Sequence, residues 1–357
     1  MKRRMVLTEM MVAVAVACAL LAWVFAGSHA WLTDLSARLK AQQPACRYVV
    51  APLNWGVSAR VLDINESGVA VGAATREDGQ IYAAMWDDGE TIACYPARWD
   101  VASKAVAITD DGAVAFNVVG ERSDLSRAYV RFPGAPTVCL NEALPGIVQC
   151  NVHGMDNDGT AVGMVATAGE IWHAFVWSPE RGMEILGGDR NVANDINADG
   201  VIAGVAPSNV AGGVPCVWAP TASGTYVTTG LQTLEGVVGR AYATNAHGVV
   251  AGRVREAVPI CWSPEAGLTV LPGVDGRATG WARDINDRGE IVGCITGLRG
   301  GCAILWRDGK AHDLNDCIPR LNGWHLVEAT AINNAGMIGC RMIVDECSSP
   351  VLLEPVS

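Results

Sequence analysis

Short apolar runs alternate with Asn, Asp and Gly along most of the chain, and one such pattern recurs. It is clearest over residues 195–204, where an apolar strand ends in Asn197, a turn glycine follows and a second apolar run begins. Similar stretches surround glycines that lie 41 to 48 residues apart, namely Gly68, Gly112, Gly159, Gly200, Gly248, Gly289 and Gly336. Side chains that bond nearby backbone, together with glycine at positive φ, are typical of tight turns. The pattern predicts a β-hairpin in every repeat.

Each repeat continues with two further apolar segments. The third segment ends in a large aromatic residue, namely Trp86, Phe132, Trp177, Trp218, Trp262 or Trp306. A fourth segment follows, as in residues 183–186 and 268–271. Four short antiparallel strands in about 45 residues are typical of a propeller blade. We therefore expect an all-β fold, a seven-bladed β-propeller with four-stranded blades, in which the aromatic residue packs between neighbouring blades.

The two ends of the repeat region complement each other. The last repeat stops after its third strand, residues 350–353, whereas a lone strand over residues 47–53 precedes the first repeat. We expect this N-terminal strand to complete the last blade, because closure removes two exposed sheet edges. The predicted propeller domain spans residues 46–357.

An apolar segment precedes the propeller domain. Basic residues at positions 2–4 are followed by an apolar run over residues 10–26. This run predicts a hydrophobic helix, either a signal peptide or a signal anchor within residues 1–30, followed by a short helical linker over residues 31–45. The basic cluster places the N-terminus in the cytoplasm, so we expect an extracytoplasmic propeller that is secreted or membrane-anchored.

The start of the chain also resembles type IV pilins and pseudopilins, over residues 5–12. Glu9 stands at that family's acidic position, whereas Arg4 stands where the family's processing site has Gly. This resemblance implies an assembly protein carried by a pilin-like anchor.

A second resemblance covers the repeats. Residues 171–177 read Ile-Trp-His-Ala-Phe-Val-Trp, and the repeat copy at 195–204 follows. These motifs resemble the HAF-repeat extracellular proteins, whose repeats carry Ile-Asn, Gly, Val-Val-Gly and then His-Ala-Phe-Leu-Trp. The resemblance spans residues 47–357, although only the third repeat keeps His-Ala-Phe, beginning at His173. It implies an exported repeat protein without a defined activity.

Charge narrows the range of partners. The formal net charge is −11, which disfavours nucleic acid or an anionic surface as the main partner. We expect an unknown protein or carbohydrate ligand, no nucleic acid, and membrane contact through the N-terminal segment if that segment is uncleaved.

Twelve cysteines raise the question of disulfides. Cys294 with Cys302, and Cys340 with Cys347, would each link the second and third strands of one blade, and an oxidising compartment would allow both bridges. Strand register decides whether the paired atoms come within reach. No Cys-x-x-Cys pair is present, which disfavours a zinc ribbon.

Asp195, Asn197 and Asp199 match the first half of a calcium loop. Ala206 stands at the twelfth position, where such a loop has Glu, and the other copies lose further ligands. A hairpin turn explains the same residues, so we expect no metal site. The sequence contains no Walker loop and no dinucleotide fingerprint after a strand, so we expect no cofactor.

We expect ligand binding in the connections that lead from one blade's outer strand to the next blade's inner strand. Aromatic and guanidinium groups there would stack on a sugar ring, hold an acidic group or anchor a peptide. The predicted ligand-binding face consists of Trp55, Trp99, His153, Arg240, Tyr242, Trp281, Arg283, Trp324 and His325.

These features favour a non-enzymatic propeller that acts as a binding or scaffold module outside the cytoplasm. The alternative is a carbohydrate-active propeller hydrolase or lyase. A glycosidase of this kind needs two carboxylates that face each other across the channel. The candidates near the inner strands are Asp100, Glu235, Asp275 and Asp284.

Overall fold

A computed structural model describes residues 48–53, 57–95, 100–120, 126–167, 169, 171–207, 213–231, 238–255, 257–297, 301–319, 323–344 and 347–356. The predicted hydrophobic helix and linker lie outside the described residues, as do Trp55, Trp99 and Glu235. Within the described part of the chain, no helix is long and apolar enough to cross a membrane.

The described chain is all-β, with two single-turn 3-10 helices at Leu140–Glu142 and Leu314–Asp316. The strands of its first half are β1 (Tyr48–Pro52), β2 (Ser58–Ile64), β3 (Ala70–Thr75), β4 (Ile81–Asp87), β5 (Glu90–Tyr95), β6 (Asp100–Ile108), β7 (Val114–Gly120), β8 (Ser126–Arg131), β9 (Val138–Cys139), β10 (Ile147–Met155), β11 (Ala161–Thr167), β12 (Trp172–Ser178) and β13 (Gly182–Leu186). The remaining strands are β14 (Val192–Ile196), β15 (Ile202–Ala206), β16 (Val214–Pro220), β17 (Tyr226–Gly230), β18 (Gly239–Thr244), β19 (Val250–Val254), β20 (Val258–Ser263), β21 (Gly267–Val270), β22 (Gly280–Ile285), β23 (Ile291–Ile295), β24 (Cys302–Arg307), β25 (Lys310–Asp313), β26 (Trp324–Ile332), β27 (Ile338–Val344) and β28 (Cys347–Pro355).

These strands form antiparallel units of four. Most units are separate four-stranded sheets, and two are joined into one eight-stranded sheet by a single parallel bridge between Ile81 and Ala102. We number the units by the order of their first strands: unit 1 is β2–β5, unit 2 is β6–β9, unit 3 is β10–β13, unit 4 is β14–β17, unit 5 is β18–β21, unit 6 is β22–β25, and unit 7 is β26–β28 with β1.

The N-terminal strand β1 is the fourth strand of unit 7. It pairs antiparallel with β28, so that Tyr48 lies opposite Pro355 and Pro52 opposite Val351. Tyr48 and Val50 are buried in the core of this unit. The first and last described strands of the chain therefore belong to one sheet.

The first strand of each unit contacts the first strand of the next, and β26 of unit 7 contacts β2 of unit 1. The contacts between units therefore close on themselves, with the first strands innermost. Antiparallel four-stranded sheets in radial repetition are typical of β-propellers.

The large aromatic residues pack between units, which confirms the prediction. Trp86 of unit 1 is fully buried in a core cluster that includes Leu352 of unit 7, and Trp218 of unit 4 is fully buried in a cluster that includes Val162 of unit 3. Burial of large rings at these contacts contributes much of the apolar area that holds neighbouring units together.

The turn of each repeat joins two units. All seven turn glycines have a positive φ, between 68° and 89°, as predicted. Within the turn, Oδ1 of Asn197 accepts from the amide of Val201 at 2.9 Å. Its Nδ2 donates to the carbonyl of Asn245 in the next unit at 2.7 Å. The same bond to the next unit runs from Asn65 to Thr109, from Asn245 to Asn286, from Asn286 to Asn333, and from Asn333 to Asn65.

The two predicted disulfides are absent, and the four cysteines concerned are free. Cys294 lies opposite Ala303, so that its side chain and that of Cys302 are on opposite faces of the sheet. Cys340 and Cys347 lie on paired strands, but the residue opposite Cys347 is Val344, four positions along from Cys340. Strand register therefore keeps both pairs too far apart to bridge.

Candidate functional site

A β-bulge interrupts the first strand of every unit at the same point. One extra residue lies there, three positions before the Asn, Asp or Thr of the turn. The bulge residues are Leu62, Val106, His153, Asn194, Tyr242, Arg283 and Thr330. A bulge changes the direction of nearby side chains and increases the local twist of the strand. It therefore determines which side chains each unit directs to the inside of the ring.

Glycine on the second strand makes room for this bulge in most units. A Cβ on Gly204 would lie 2.1 Å from the carbonyl oxygen of Val192 and 2.6 Å from the ring of Trp218. Added Cβ atoms would come within 1.9 to 2.2 Å of a first-strand carbonyl oxygen at each equivalent glycine, namely Gly72, Gly163, Gly252 and Gly293. In these five units the glycine that ends the repeated motif therefore leaves space for the bulged first strand, whereas unit 2 has Phe116 at the equivalent position.

Three polar bulge residues bond the first strand of the next unit. In each case the acceptor is the carbonyl just before the next bulge: Nδ1 of His153 donates to Ala193 at 2.8 Å, Nδ2 of Asn194 to Ala241 at 2.6 Å, and Oγ1 of Thr330 to Val61 at 2.9 Å. A first strand is a sheet edge whose outward carbonyl groups need partners. The side chains of His153, Asn194 and Thr330 are hydrogen-bond partners for three of these carbonyl groups, and their bonds hold neighbouring units together.

Tyr242 and Arg283 occupy the same bulge position but make a different arrangement. The guanidinium carbon of Arg283 lies 5.2 Å from the ring centroid of Tyr242 and 5.5 Å from that of Trp281. Nε of Arg283 donates to Oε1 of Glu328 at 3.0 Å. We call Tyr242, Trp281, Arg283 and Glu328 the aromatic–arginine cluster; it brings together side chains from units 5, 6 and 7.

Glu328 holds the arginine of this cluster in place, and it was not among the site residues predicted from the sequence. Its side chain is only 9% exposed, and its carboxylate also meets Nη2 of Arg60 at 3.1 Å and Nε of Arg341 at 3.6 Å. Glu328 lies five residues before Asn333, the same spacing at which Trp281 precedes Asn286. Alignment of the repeats on the turn residue would have found it.

Residues at this spacing form a layer on the inside of the ring, two positions before each bulge. Its members are Arg60, Lys104, Asn151, Val192, Arg240, Trp281 and Glu328. The residue between this layer and the bulge is small and buried in every unit, namely Val61, Ala105, Val152, Ala193, Ala241, Ala282 and Ala329. Since side chains alternate along a strand, the inner layer lies on the opposite face from these core residues.

Cations of the inner layer perturb one another. Desolvation of its ammonium group and the charge of Arg60 lower the pKa of Lys104, although the residue as a whole is exposed. Burial lowers the pKa of His153 to about 4; the bond to Ala193 opposes this shift, while the charges of Lys104 and Arg240 add to it. The imidazole of His153 is therefore neutral at physiological pH and acts as a donor to the next unit.

Three carboxylates follow the bulge, at Asp63, Asp195 and Asp284. Burial raises the pKa of Asp63 to about 6 and that of Asp195 to about 7. Burial also holds the pKa of Asp284 well above its usual range, with a further contribution from the negative charge of Asp195. Each carboxylate accepts from the amide of the residue after it and from one amide of the next first strand, namely Ile108, Thr244 or Ile332.

The predicted site residues fall into two groups. His153, Arg240, Tyr242, Trp281 and Arg283 lie within first strands, whereas the prediction placed them in the connections before those strands. That placement was wrong because these strands begin earlier than the apolar pattern indicated.

The second group consists of Trp324 and His325, which begin β26 well before its bulge. Trp324 packs against the core of unit 7, and Nε2 of His325 hydrogen-bonds to the carbonyl of Gly301 at 2.8 Å. Neither belongs to the aromatic–arginine cluster.

Two of the candidate carboxylates, Asp275 and Asp284, have described side chains, and these lie in different environments. Asp275 is exposed and meets Nη2 of Arg277 at 3.5 Å, whereas Asp284 lies within β22 and is bonded to backbone amides. Asp100 begins β6.

The calcium-like stretch is a structural turn. The carboxylate of Asp195 accepts the backbone amides of Ile196 and Thr244, and Oδ1 of Asn197 accepts those of Asp199 and Val201. Among the described residues, no three His, Cys, Asp or Glu side chains are grouped so that they could hold a metal ion.

No protein-family model and no curated protein match the chain. Its fold is similar to that of virginiamycin B lyase from Staphylococcus aureus, with a TM-score of 0.53 and 12% identity over 87% of this chain and 99% of that one. It is also similar to an oligogalacturonate lyase in complex with manganese (TM-score 0.56, 11% identity, 88% of this chain and 95% of that one). A third similar structure is YCF48 bound to D1 peptide (TM-score 0.50, 12% identity, 88% and 98%). At these identities the likeness shows the fold alone, a β-propeller.

Proposed function

We propose that the protein is an exported seven-bladed β-propeller that binds a ligand outside the cytoplasm without turning it over. The seven units are its blades, and β1 closes the ring. The ligand binds at the aromatic–arginine cluster on the inside of the ring. The observation that carries this proposal concerns the bulge position. His153, Asn194 and Thr330 bond the carbonyl just before the next bulge, whereas Tyr242 and Arg283 make no such bond within the described chain.

The cluster has the chemistry of a recognition surface. Tyr242, Trp281 and Arg283 are each partly accessible, and Glu328 fixes the guanidinium between the two rings. Aromatic faces stack on sugar rings, and a guanidinium held in place by an ion pair loses little conformational freedom when a ligand binds. A carbohydrate or a peptide with a planar side chain fits this surface.

A carbohydrate-active hydrolase or lyase is the second candidate. The pKa of Asp195, raised to about 7, favours it, because a carboxylic acid that keeps its proton near neutral pH acts as a general acid. The bonds from the backbone amides of Ile196 and Thr244 to Asp195 favour the binding module instead, since the bond from Thr244 holds the carboxyl as a link between units 4 and 5.

Export rests on the N-terminal sequence. The basic residues 2–4 before the apolar run 10–26 support an extracytoplasmic propeller, and the resemblance to HAF-repeat extracellular proteins supports the same location. The pilin-like start supports a retained anchor. A mature N-terminus at Trp31 would establish secretion, whereas an intact N-terminus would establish the anchor.

A glycan array tests the binding proposal, with full-length protein in a non-ionic detergent. We expect retention of a carbohydrate without release of shorter products. Trp281→Ala removes a ring of the cluster and is expected to abolish binding, whereas the matched control Trp172→Ala removes an exposed ring of unit 3 and leaves binding intact. Product release from the bound glycan would favour the enzyme, and equal loss in both variants would contradict a site at the cluster.

A further inference from the structure

The inner layer is unevenly charged. It holds three cations, Arg60, Lys104 and Arg240, and its one acidic member is Glu328. The carboxylate of Glu328 is already shared by Arg60, Arg283 and Arg341. Positive charge is therefore left over on the inside of the ring, in a protein whose formal net charge is −11.

Two of these cations have no acidic partner among the described side chains. Lys104 and Arg240 are exposed, and neither forms an ion pair with any described carboxylate. They also lie close enough to neighbouring charges for Arg60 to act on Lys104, and for Lys104 and Arg240 to act together on His153. Like charges held around one ring repel each other, and a bound anion would offset that repulsion.

The nearby carboxylates do not neutralise this layer. Asp63, Asp195 and Asp284 lie on the far side of the bulge, and their oxygens are bonded to backbone amides. Along the axis of the ring, cations without a described acidic partner therefore lie before the bulge, and carboxyl groups bonded to backbone amides lie after it.

Trp281 places an aromatic ring in the same layer as these cations. Trp281 lies on unit 6, and Arg240 occupies the equivalent position, two residues before the bulge, on the neighbouring unit 5. A ligand that has both a ring and an acidic group would therefore meet a stacking face beside a cationic face. Guanidinium groups bind carboxylates through paired hydrogen bonds, which adds orientation to charge.

We propose that the ligand is an acidic carbohydrate, whose anionic group binds among Arg60, Lys104 and Arg240 while a sugar ring packs on Trp281. This inference rests on the proposed function, and it specifies the class of ligand for that site. Free phosphate is also negatively charged but has no sugar ring. Experiments can therefore distinguish phosphate from an acidic carbohydrate as the bound anion.

Titration calorimetry of the full-length protein in non-ionic detergent tests the proposal. The probes are trigalacturonic acid, its fully methyl-esterified form, which keeps the rings but has no charge, and inorganic phosphate. We expect the acid to bind at least about tenfold more tightly than the ester, and its affinity to fall as salt is added.

Variants locate the contact. Lys104→Gln and Arg240→Gln are each expected to weaken binding of the acid about tenfold and to leave binding of the ester unchanged. The control Lys310→Gln removes an exposed lysine from β25 and leaves both affinities unchanged. Melting temperatures of the two inner-layer variants should equal or exceed that of the unaltered protein, because each substitution relieves repulsion.

Equal binding of the acid and the ester, with both lost in Trp281→Ala, would overturn the anionic contact and leave the proposed binding function standing. Binding of phosphate without the trisaccharide would support the cationic site and identify phosphate, not a sugar acid, as the source of its anion. Failure of the acid and of phosphate to bind at low salt would overturn the inference, and the glycan array then decides the proposed function separately.

Discussion

The side-chain amide of Asn333 donates to the backbone carbonyl of Asn65 at 2.9 Å, although 268 residues separate them. This bond joins unit 7 to unit 1, and it is the same bond that joins units 4, 5, 6 and 7 in sequence. The contact between units 7 and 1, which closes the ring, therefore contains the same side-chain hydrogen bond as the contacts between consecutive units. The strand pairing of β1 with β28 is a second link at this closure.

Asn245→Asp should weaken the contact between units 5 and 6. Aspartate still accepts the turn amides but cannot donate to the carbonyl of Asn286, which Nδ2 of Asn245 reaches at 3.0 Å. We expect a loss of about 1–3 kcal/mol in the free energy of unfolding, measured with urea. The reciprocal variant Asp156→Asn gives unit 3 the donor it lacks, and a loss of similar size there would argue against this account.

Gly204→Ala should be severely destabilising. The new Cβ would lie 2.1 Å from the carbonyl oxygen of Val192, so the bulge or the second strand would have to shift. We expect a loss of about 3 kcal/mol or more, at the upper end of overpacking effects. Gly230→Ala is the control, because a Cβ there meets nothing within 4 Å; equal losses in the two variants would exclude the bulge as the cause.

Asp195→Ala should change how stability depends on pH. Because the pKa of Asp195 is raised to about 7 in the folded protein, the folded state binds more protons than the unfolded state between about pH 4 and pH 7. The carboxyl group therefore stabilises the fold most at low pH, and its contribution falls as pH rises through 7, by up to about 1.4 kcal/mol per pH unit.

Urea unfolding at pH 4.5, near the lower end of this range, and at pH 8, about one unit above it, measures this change. Asp195→Ala is expected to cost more at the lower pH, and Glu265→Gln, at an exposed position in unit 5, is the control variant. A cost of Asp195→Ala that grows with pH would refute the sign of the raised pKa.

His153 should remain neutral in the folded protein down to about pH 4. The unfolded state then binds the extra proton between about pH 6.5 and pH 4, so the contribution of His153 to stability is present above pH 6.5 and is lost as pH falls. An NMR titration of its ring protons measures the pKa directly. Lys104→Gln is expected to raise that pKa by removal of a repelling charge, whereas Lys310→Gln leaves it unchanged.

Deletion of residues 46–54 should unfold the whole domain. It removes β1, which exposes the edge of β28 and the buried side chains around Leu353. Circular dichroism and size-exclusion chromatography measure the outcome. A deletion variant that stays folded and monomeric would show that the ring does not depend on closure and would favour an open array.

The turn chemistry was predictable from sequence because it is local. Asn, Asp and Gly at fixed offsets predict the hairpin turns, and the positive φ of every turn glycine confirms it. The packing of Trp86 and Trp218 between units also followed from their repeated place after the third apolar run. The second bond of the Asx residues, to the next unit, depends on a neighbour more than 40 residues away and left no local signal.

Strand register was the main source of error. Cys294 and Cys302 are close in sequence, but a one-residue offset between their strands puts the side chains on opposite faces. The bulges were not predicted either, because they also depend on how two strands pair. One extra residue on one strand leaves the apolar pattern of the sequence nearly intact. A signal for the inner layer was present, because small buried Ala241 and Ala282 are each flanked by large polar or aromatic residues.

The shared bulge separates what the scaffold requires from what it can vary. Turn residues, second-strand glycines and buried aromatics recur from unit to unit, whereas the bulge residue is different in each of the seven units. At Leu62, Val106, Tyr242 and Arg283 this residue makes no side-chain hydrogen bond to the carbonyl before the next bulge within the described chain. Those four positions are therefore the natural sites at which mutation can create new specificities, in evolution or in a designed library, while the ring that displays them is conserved.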